Sequence, residues 1–174
     1  YIKKMKILDV GCAAGHYYNS LKQIDSYLNY SGMDATRKYI NFAKRYYKKN
    51  INMKFYCEDI FKISKKHNKK YDITFCCNLL LHLPSIETPL KNLIKTTKQY
   101  CFIRTLVGKN THLSRFLYDD NFKNNEPTNF AYQNKYSFNY IKEIIDKIGK
   151  FKVEFINDEF KAKNINKEYK KFIK

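Results

Sequence analysis

No stretch of this chain is apolar enough to cross a membrane. A spanning helix needs about 20 such residues, and the longest run, Ile73 to Leu83, is broken by Asn78 and His82. No secretory leader is visible either: Tyr1-Ile2-Lys3-Lys4 passes directly into a strand-like segment, so the chain reads as cytoplasmic. Cysteines are few and poorly placed for cross-linking. The 5 present (Cys12, Cys57, Cys76, Cys77 and Cys101) are odd in number and contain no Cys-x-x-Cys pair. That excludes a disulfide-stapled miniprotein and a zinc site built from spaced ligand pairs. We expect reduced, buried thiols. Internal repeats and low-complexity segments are also missing.

Acidic residues are scarce: 16 Asp and Glu stand against 34 Lys and Arg, a net charge of +18. Such a balance has two readings. One is a polyanion partner such as RNA. The other is compositional bias, since Lys, Asn, Ile and Tyr are all heavily used and the lysines are scattered. With 44% hydrophobic and 29% charged residues in 174, the chain is long enough for one globular domain with a real core and too short for two. The first residue is Tyr, and a core strand begins within about six residues of it. We therefore expect one domain over residues 1–174 that lacks some N-terminal residues.

Short apolar runs alternate with amphipathic stretches. Lys6 to Val10 reads as a buried strand, followed by a helix from His16 to about Ile24. Tyr30 to Asp34 is a second strand end. Thr36 is placed to cap a helix carrying Ile40, Ala43 and Tyr47, running to about Lys49. Met53 to Cys57 and Tyr71 to Cys77 are further strands, joined by a Lys-rich connection. Pro84-Ser85 opens a helix with Ile86, Leu90, Leu93 and Ile94 on one face. Tyr100 to Val107 is a fifth strand. Residues 108–136 lack clear periodicity and exceed the usual unstructured loop, which points to a substrate-side loop or lid. Ser137 caps a strong helix that Gly149 stops. Phe151 to Ile156 alternates like an edge strand, with Tyr169 to Ile173 as a hairpin partner. Strand–helix units of this kind predict an α/β fold, a doubly wound and mostly parallel sheet with helices on both faces.

The chemistry is concentrated in Asp9-Val10-Gly11-Cys12-Ala13-Ala14-Gly15. A buried strand ends in an acid, then a turn of small residues, then a helix. Small residues let a ligand approach the backbone, and the helix start offers unpaired N–H groups. The dinucleotide fingerprint needs glycines at positions 11, 13 and 16; here those residues are Gly11, Ala13 and His16. Asp34 follows Asp9 by 25 residues at the end of the second strand, and Asp59 follows Asp34 by another 25. The fourth strand runs into Asn78-Leu79-Leu80-Leu81-His82-Leu83-Pro84.

These elements, in this order at successive strand ends, resemble the class I S-adenosylmethionine-dependent methyltransferases, whose first motif is roughly D-x-G-x-G-x-G. Here it reads Asp9, Gly11, Ala13, Gly15, with Ala13 in place of the middle glycine. The resemblance covers Lys6 to about Val107 and implies a Rossmann-like seven-stranded sheet of order 3-2-1-4-5-7-6, its last strands cut short in this chain. It implies S-adenosylmethionine as cofactor and S-adenosylhomocysteine as product. Asp9, Gly11, Cys12, Ala13, Gly15 and Tyr18, or the neighbouring Tyr17, would line the methionine end. Asp34 and Ala35 would meet the ribose, Asp59 and Ile60 the adenine, and Asn78 and Leu79 the sulfonium side. No metal is implied. Many members need no catalytic side chain; His82, His112 and Arg115 are the candidates here. His112 and Arg115 would share one side of a helical turn if a helix forms. Arg104, Thr105, Tyr118, Tyr132 and Tyr136 are further candidates for a place near the reacting methyl.

The signatures of adenine-N6 and cytosine-C5 enzymes are missing: Leu79-Leu80-Leu81 follows Asn78, and no Cys follows a proline. The leading expectation is an enzyme that moves a methyl group to an O, N or C atom of a small molecule by in-line displacement. Two alternatives stand beside it: a methyltransferase acting on tRNA or another RNA, and a cofactor-binding fragment without turnover.

Overall fold

The computed structural model describes residues 4–157. Five parallel strands form its sheet: β1 (Lys6–Val10), β2 (Asn29–Asp34), β3 (Met53–Cys57), β4 (Tyr71–Cys77) and β5 (Thr97–Arg104), in the order 3-2-1-4-5. β1 is central, with Leu8 set between Ser31 of β2 and Thr74 of β4. Its residues from Ile7 to Val10 are buried, as expected of a strand covered on both faces.

Helices cover both faces, as the strand–helix alternation predicts. On one face α1 (Tyr17–Ile24) and α2 (Arg37–Tyr46) bring Tyr18, Ile40 and Ala43 against Ile7, Tyr30, Phe55 and Phe75. On the other, α3 (Glu87–Thr96) and α4 (Phe138–Ile148) bring Leu90, Leu93, Ile141, Ile144 and Ile145 against Leu8, Val10, Met33 and Cys76. Each fully buried Leu, Ile or Met stabilises the fold by roughly 1.5–3 kcal/mol.

Local chemistry sets the helix ends. Ser137 caps α4 by accepting from the Tyr140 N–H at 3.1 Å. Thr36 stands at the α2 cap, but its side chain makes no cap bond; its own N–H donates to Asp34 Oδ1 at 2.8 Å. α3 starts at Glu87 rather than at Pro84-Ser85, and a one-turn 3-10 helix at Leu80–His82 precedes it. β5 lies earlier than expected. Thr96 and Thr97 both donate their hydroxyls to the Leu93 carbonyl at 2.7 Å, closing α3 and releasing the strand at once.

Residues 108–136 are not an irregular loop. Val107–Gly108 (β6) pairs with Tyr136–Ser137 (β11), and Arg115–Leu117 (β7) pairs antiparallel with Phe130–Tyr132 (β10). Phe122–Lys123 (β8) pairs with Glu126–Pro127 (β9) at the tip. The tip turns through Asn124 and Asn125, at φ 53° and 62°. Two successive left-handed residues are what a tight hairpin turn requires, and Asn tolerates them. His112 makes an isolated antiparallel bridge to Lys135. The expected helical turn from His112 to Arg115 is therefore corrected: His112 sits in that bridge, residues 113–114 are in neither helix nor strand, and Arg115 opens β7.

Two further expectations change. Phe151 to Ile156 forms no strand among the described residues; Phe155 instead packs edge-on against Phe138, with ring centroids 4.8 Å apart. The sixth and seventh strands of the expected order are thus not seen among the described residues, and Tyr169 to Ile173 lies outside them. All five cysteines are free, but Cys57 is exposed and only Cys12 and Cys76 are fully buried.

Candidate functional site

The carboxyl ends of β1 to β4 bring the predicted segments together. The turn after β1 is held by two N–H donors, Gly11 at 2.8 Å and Cys12 at 3.1 Å, on the Met33 carbonyl of β2. Gly11 sits at φ +80° and Gly15 at +84°, both in the left-handed region. A Cβ on Gly11 would lie 2.9 Å from Leu79 Cδ2, so the first turn and the segment after β4 approach more closely than a side chain permits. Ala13 also sits in the left-handed region, at φ 46°. That is the physical reason the related motif favours glycine there, and the alanine costs about 1–2 kcal/mol.

Asp34 ties the turn to the second strand. Its Oδ2 accepts from the Ala13 N–H at 3.0 Å, and its Oδ1 from Thr36. A carboxylate has about four lone-pair sites, so two remain for a ligand's hydroxyls. The Glu58 N–H donates to the Asp34 carbonyl at 3.1 Å, placing the end of β3 beside the end of β2. Cys57 Sγ leans on the Ala35 carbonyl at 3.6 Å. Asp59 uses Oδ1 to cap the short 3-10 turn Ile60–Lys62 through the Phe61 N–H at 2.9 Å. Ile60 is buried behind it. Asn78 follows β4 at φ 57°, its N–H bonded to the Arg104 carbonyl of β5 at 2.8 Å.

Asp9 lies beneath the turn and is 1% exposed. Tyr30 donates its hydroxyl to Asp9 Oδ2 at 2.5 Å. Burial pushes the Asp9 carboxyl up from 3.8 to about 7; the Tyr30 hydrogen bond opposes this, and the nearby Asp34 charge adds to it. Cys77 and Tyr17 are also pushed up, chiefly by burial. Cys12 and Cys76 are raised by burial in the same way. These thiols stay protonated at neutral pH, which argues against a cysteine nucleophile.

The two tyrosines of α1 divide. Tyr18 turns into the core, edge-on to Tyr30 and Tyr47 at 5.6 Å, with its hydroxyl accepting from Asn50 Nδ2. It does not line the turn. Tyr17 does stand at the strand ends, edge-on to Phe75 at 5.7 Å and electrostatically coupled to Cys77, Arg104 and Asp9.

The hairpin is pinned to the segment after β4. Buried Asn134 donates from Nδ2 to the Leu83 carbonyl at 2.8 Å and accepts from the Ser114 N–H at 3.0 Å. Its backbone N–H donates to the Leu81 carbonyl at 2.9 Å. Tyr136 donates to the Leu80 carbonyl at 3.1 Å. His82 Nδ1 donates to the Tyr132 carbonyl at 2.8 Å. That bond sets a proton on Nδ1, and the His82 side chain is exposed. Arg115 pairs with Glu126 and lies over the Phe130 ring at 4.8 Å, so its charge is already engaged on the hairpin surface. Exposed His112 is held through its backbone to Lys135. Tyr118 is exposed and packs edge-on to Phe116. Thr105 Oγ1 is buried with no hydrogen-bond partner.

Two features were missed in the sequence. Tyr30 is one; a tyrosine inside a strand of small residues was the available signal. The other is Glu58 with His67. His67 is wholly buried in the Lys-rich connection, its Nε2 donating to Glu58 Oε1 at 3.3 Å and its Nδ1 accepting from Tyr71 at 2.8 Å. Burial holds the imidazole below its ordinary range, against the pull of Glu58. Burial raises Glu58, but Lys66 at 2.6 Å, the Ser64 N–H and His67 outweigh it and leave the carboxyl low. Glu58 thereby braces the loop that carries Asp59. Among the described residues no His, Cys, Asp or Glu cluster could hold a metal ion.

This arrangement coincides with a known family. A family model described as "Methyltransferase domain" matches residues 2–152. A Coxiella burnetii ubiquinone biosynthesis O-methyltransferase is 30% identical over 92 residues, covering 52% of this chain and 38% of that protein. A protein of the same description from Rickettsia canadensis is 30% identical over 98 residues, covering 56% of this chain and 40% of that one. The chain thus spans about two fifths of the length of these curated relatives. Among solved structures, the trans-methyltransferase CalH in complex with SAH superposes with a TM-score of 0.51 at 20% identity, covering 64% of this chain and 33% of CalH; it supports the fold. The match over residues 2–152, on a sheet of order 3-2-1-4-5 with a small-residue turn after its first strand, makes this chain a member of the methyltransferase domain family.

Proposed function

We propose that the chain binds S-adenosylmethionine in the cleft at the ends of β1 to β4 and serves transfer of its methyl group to a small-molecule acceptor. One observation carries the reading: Asp34 joins the left-handed turn at Ala13 to the end of β2 with lone pairs to spare, and Asp59 caps the short turn just beyond the adjoining β3. The donor set suits a nucleoside bearing an amino acid. Acidic acceptors at Asp34 and Asp59 match ribose hydroxyls and an adenine amino group, and the turn at residues 11–15 brings backbone close to the ligand. Asp9, buried below the turn, suits the cationic end of the ligand, which would favour its ionised form.

When bound, S-adenosylmethionine supplies a methyl group on a cationic sulfur that is already activated for in-line displacement. The residues of this chain then have to orient and desolvate. Asp34 and Asp59 fix the nucleoside. Asn78 and Leu79 close the cleft from β4, and the hairpin of residues 108–136 covers the acceptor side as a lid. In this reading His82 takes a proton, through Nε2, from an acceptor hydroxyl, and its Nδ1 hydrogen bond to the Tyr132 carbonyl supports that role by holding the ring's own proton on the other nitrogen. Arg115 and His112 lie further out on the hairpin and serve acceptor binding at most. The curated relatives are O-methyltransferases of ubiquinone biosynthesis, which supports a hydroxyl on a small aromatic ring as the acceptor class.

The test is methyl incorporation from labelled S-adenosylmethionine into a panel of phenols and catechols. We expect labelled methyl ether, and loss of turnover in His82→Ala with cofactor binding retained. Cofactor binding without any labelled product across the panel would favour the non-catalytic alternative.

A further inference from the structure

One face of α2 is left without a partner by the fold, and its chemistry is specific. Between Arg37 and Asn50 stand six cations (Arg37, Lys38, Lys44, Arg45, Lys48 and Lys49) and no acid. No ion pair found among the described residues engages any of them. The helix buries only Ile40 and Ala43. At 3.6 residues per turn, Lys38 and Arg45 form a ridge on the opposite side, and Lys49 stands in the turn that follows the helix. Beside that ridge runs an aromatic stripe of Tyr39, Phe42 and Tyr46, which are 48%, 48% and 68% exposed. Phe42 and Tyr46 stack nearly parallel, with centroids 5.8 Å apart and planes 14° apart. At the foot of the stripe an open hollow of about 350 Å³ is lined by Tyr46, Tyr47, Lys49, Asn50 and Ile51.

We propose that this face of α2 and the turn after it dock single-stranded RNA, with unpaired bases stacking on Phe42 and Tyr46 and phosphates meeting Lys38 and Arg45 on the helix and Lys49 in the turn. Charge complementarity selects a polyanion, and flat rings interleaved with the cations select one that presents π faces. An acidic protein would use the ridge but not the rings. A duplex hides its bases, whereas RNA loops and ends expose them. The surface lies on the outer side of α2, away from the hairpin, so the docked strand is a tether and not the methyl acceptor. The inference is independent of the methyl-transfer reading.

The experiment is fluorescence anisotropy of a short labelled oligouridylate against the whole chain at about 0.15 M salt. Phe42→Ala/Tyr46→Ala leaves the net charge untouched and is expected to weaken binding by about tenfold or more. Phe42→Leu/Tyr46→Leu, which keeps apolar area but removes the rings, should weaken it similarly. Arg45→Gln/Lys49→Gln should weaken binding and flatten its salt dependence. Lys91→Gln/Lys95→Gln on α3, an equal change of charge elsewhere, should leave affinity within about twofold, since its cations lie off the docking face. Melting temperatures near that of the unsubstituted chain confirm that each variant is folded. Duplex RNA and phosphatidylglycerol vesicles should bind more weakly than the oligomer. Equal affinity of the ring-free variants overturns the proposal. So does tighter binding of the vesicles, of duplex RNA or of oligodeoxythymidylate.

Discussion

Tyr30→Phe isolates the contact between a buried hydroxyl and a buried carboxyl. The Tyr30 hydroxyl donates to Asp9 Oδ2 at 2.5 Å, and both residues are 1% exposed. Because the folded Asp9 titrates near 7 rather than 3.8, the folded state holds a proton that the unfolded state releases between those values. Stability therefore falls as pH rises through that window and is level above it. About three pH units at 1.36 kcal/mol each set an upper bound of about 4 kcal/mol on that fall. Removing the hydroxyl acts differently on the two forms. Near pH 5.5 Asp9 is protonated, and the substitution deletes a neutral hydrogen bond, about 0.5–1.5 kcal/mol. Near pH 9 Asp9 is ionised, and the lost bond is charge-assisted, about 1.5–3 kcal/mol. Urea unfolding of both proteins at the two pH values gives the comparison. The expected result is a deficit in Tyr30→Phe that grows by about 1 kcal/mol or more from acid to base. An equal deficit at both pH values would refute the assignment of Asp9 as a buried carboxyl restrained by Tyr30.

Three further outcomes follow from the same geometry. Ala13→Gly relieves a left-handed alanine at φ 46° and should stay within about 1 kcal/mol of the unsubstituted chain, because relief offsets the added chain entropy; Ala43→Gly, inside α2, should cost clearly more in the same melts. Gly11→Val drives a branched side chain into Leu79, where even a Cβ lies 2.9 Å from Cδ2, so both melting temperature and cofactor binding should drop. A Gly11→Val protein that melts and binds like the unsubstituted chain contradicts the close approach. Asn134→Leu strands the Leu83 carbonyl and the Ser114 N–H, and should cost about 2–4 kcal/mol and open the hairpin to limited proteolysis; an intact, protease-resistant hairpin would show that it is held elsewhere.

Among the strands read best from sequence were those buried on both faces. β1 and β4 begin and end where their apolar runs do, since no wet face dilutes the signal. β3, at the sheet edge, kept its bounds by alternation instead, with Met53 and Phe55 buried and Lys54 exposed. The small-residue turn was legible for a different reason: left-handed backbone at Gly11 and Gly15 restricts residue choice; the aspartates at the end of β2 and after β3 were read through the family resemblance. Side-chain capping left no periodic trace, so Thr96 and Thr97 moved β5 forward unannounced. The hairpin was hidden because its short strands bury little and therefore lack alternation. Its one signal, Asn124-Asn125, was the local chemistry of the tip. Tyr18 and Tyr17 are neighbours in sequence and both apolar in character. Only the rotation of α1 against Tyr30 and Phe75 decides which one meets the core and which the cleft.

The most direct test of the cofactor cleft is calorimetric titration of S-adenosylhomocysteine into the chain and into Asp34→Asn. That substitution keeps an acceptor oxygen for one of the two backbone N–H groups, gives up the other bond, and removes the charge and lone pairs meant for the ligand's hydroxyls. With equal melting temperatures, the variant should bind at least about tenfold more weakly. An affinity equal to that of the unsubstituted chain would mean that the ligand does not sit against Asp34, and the site would have to be sought elsewhere.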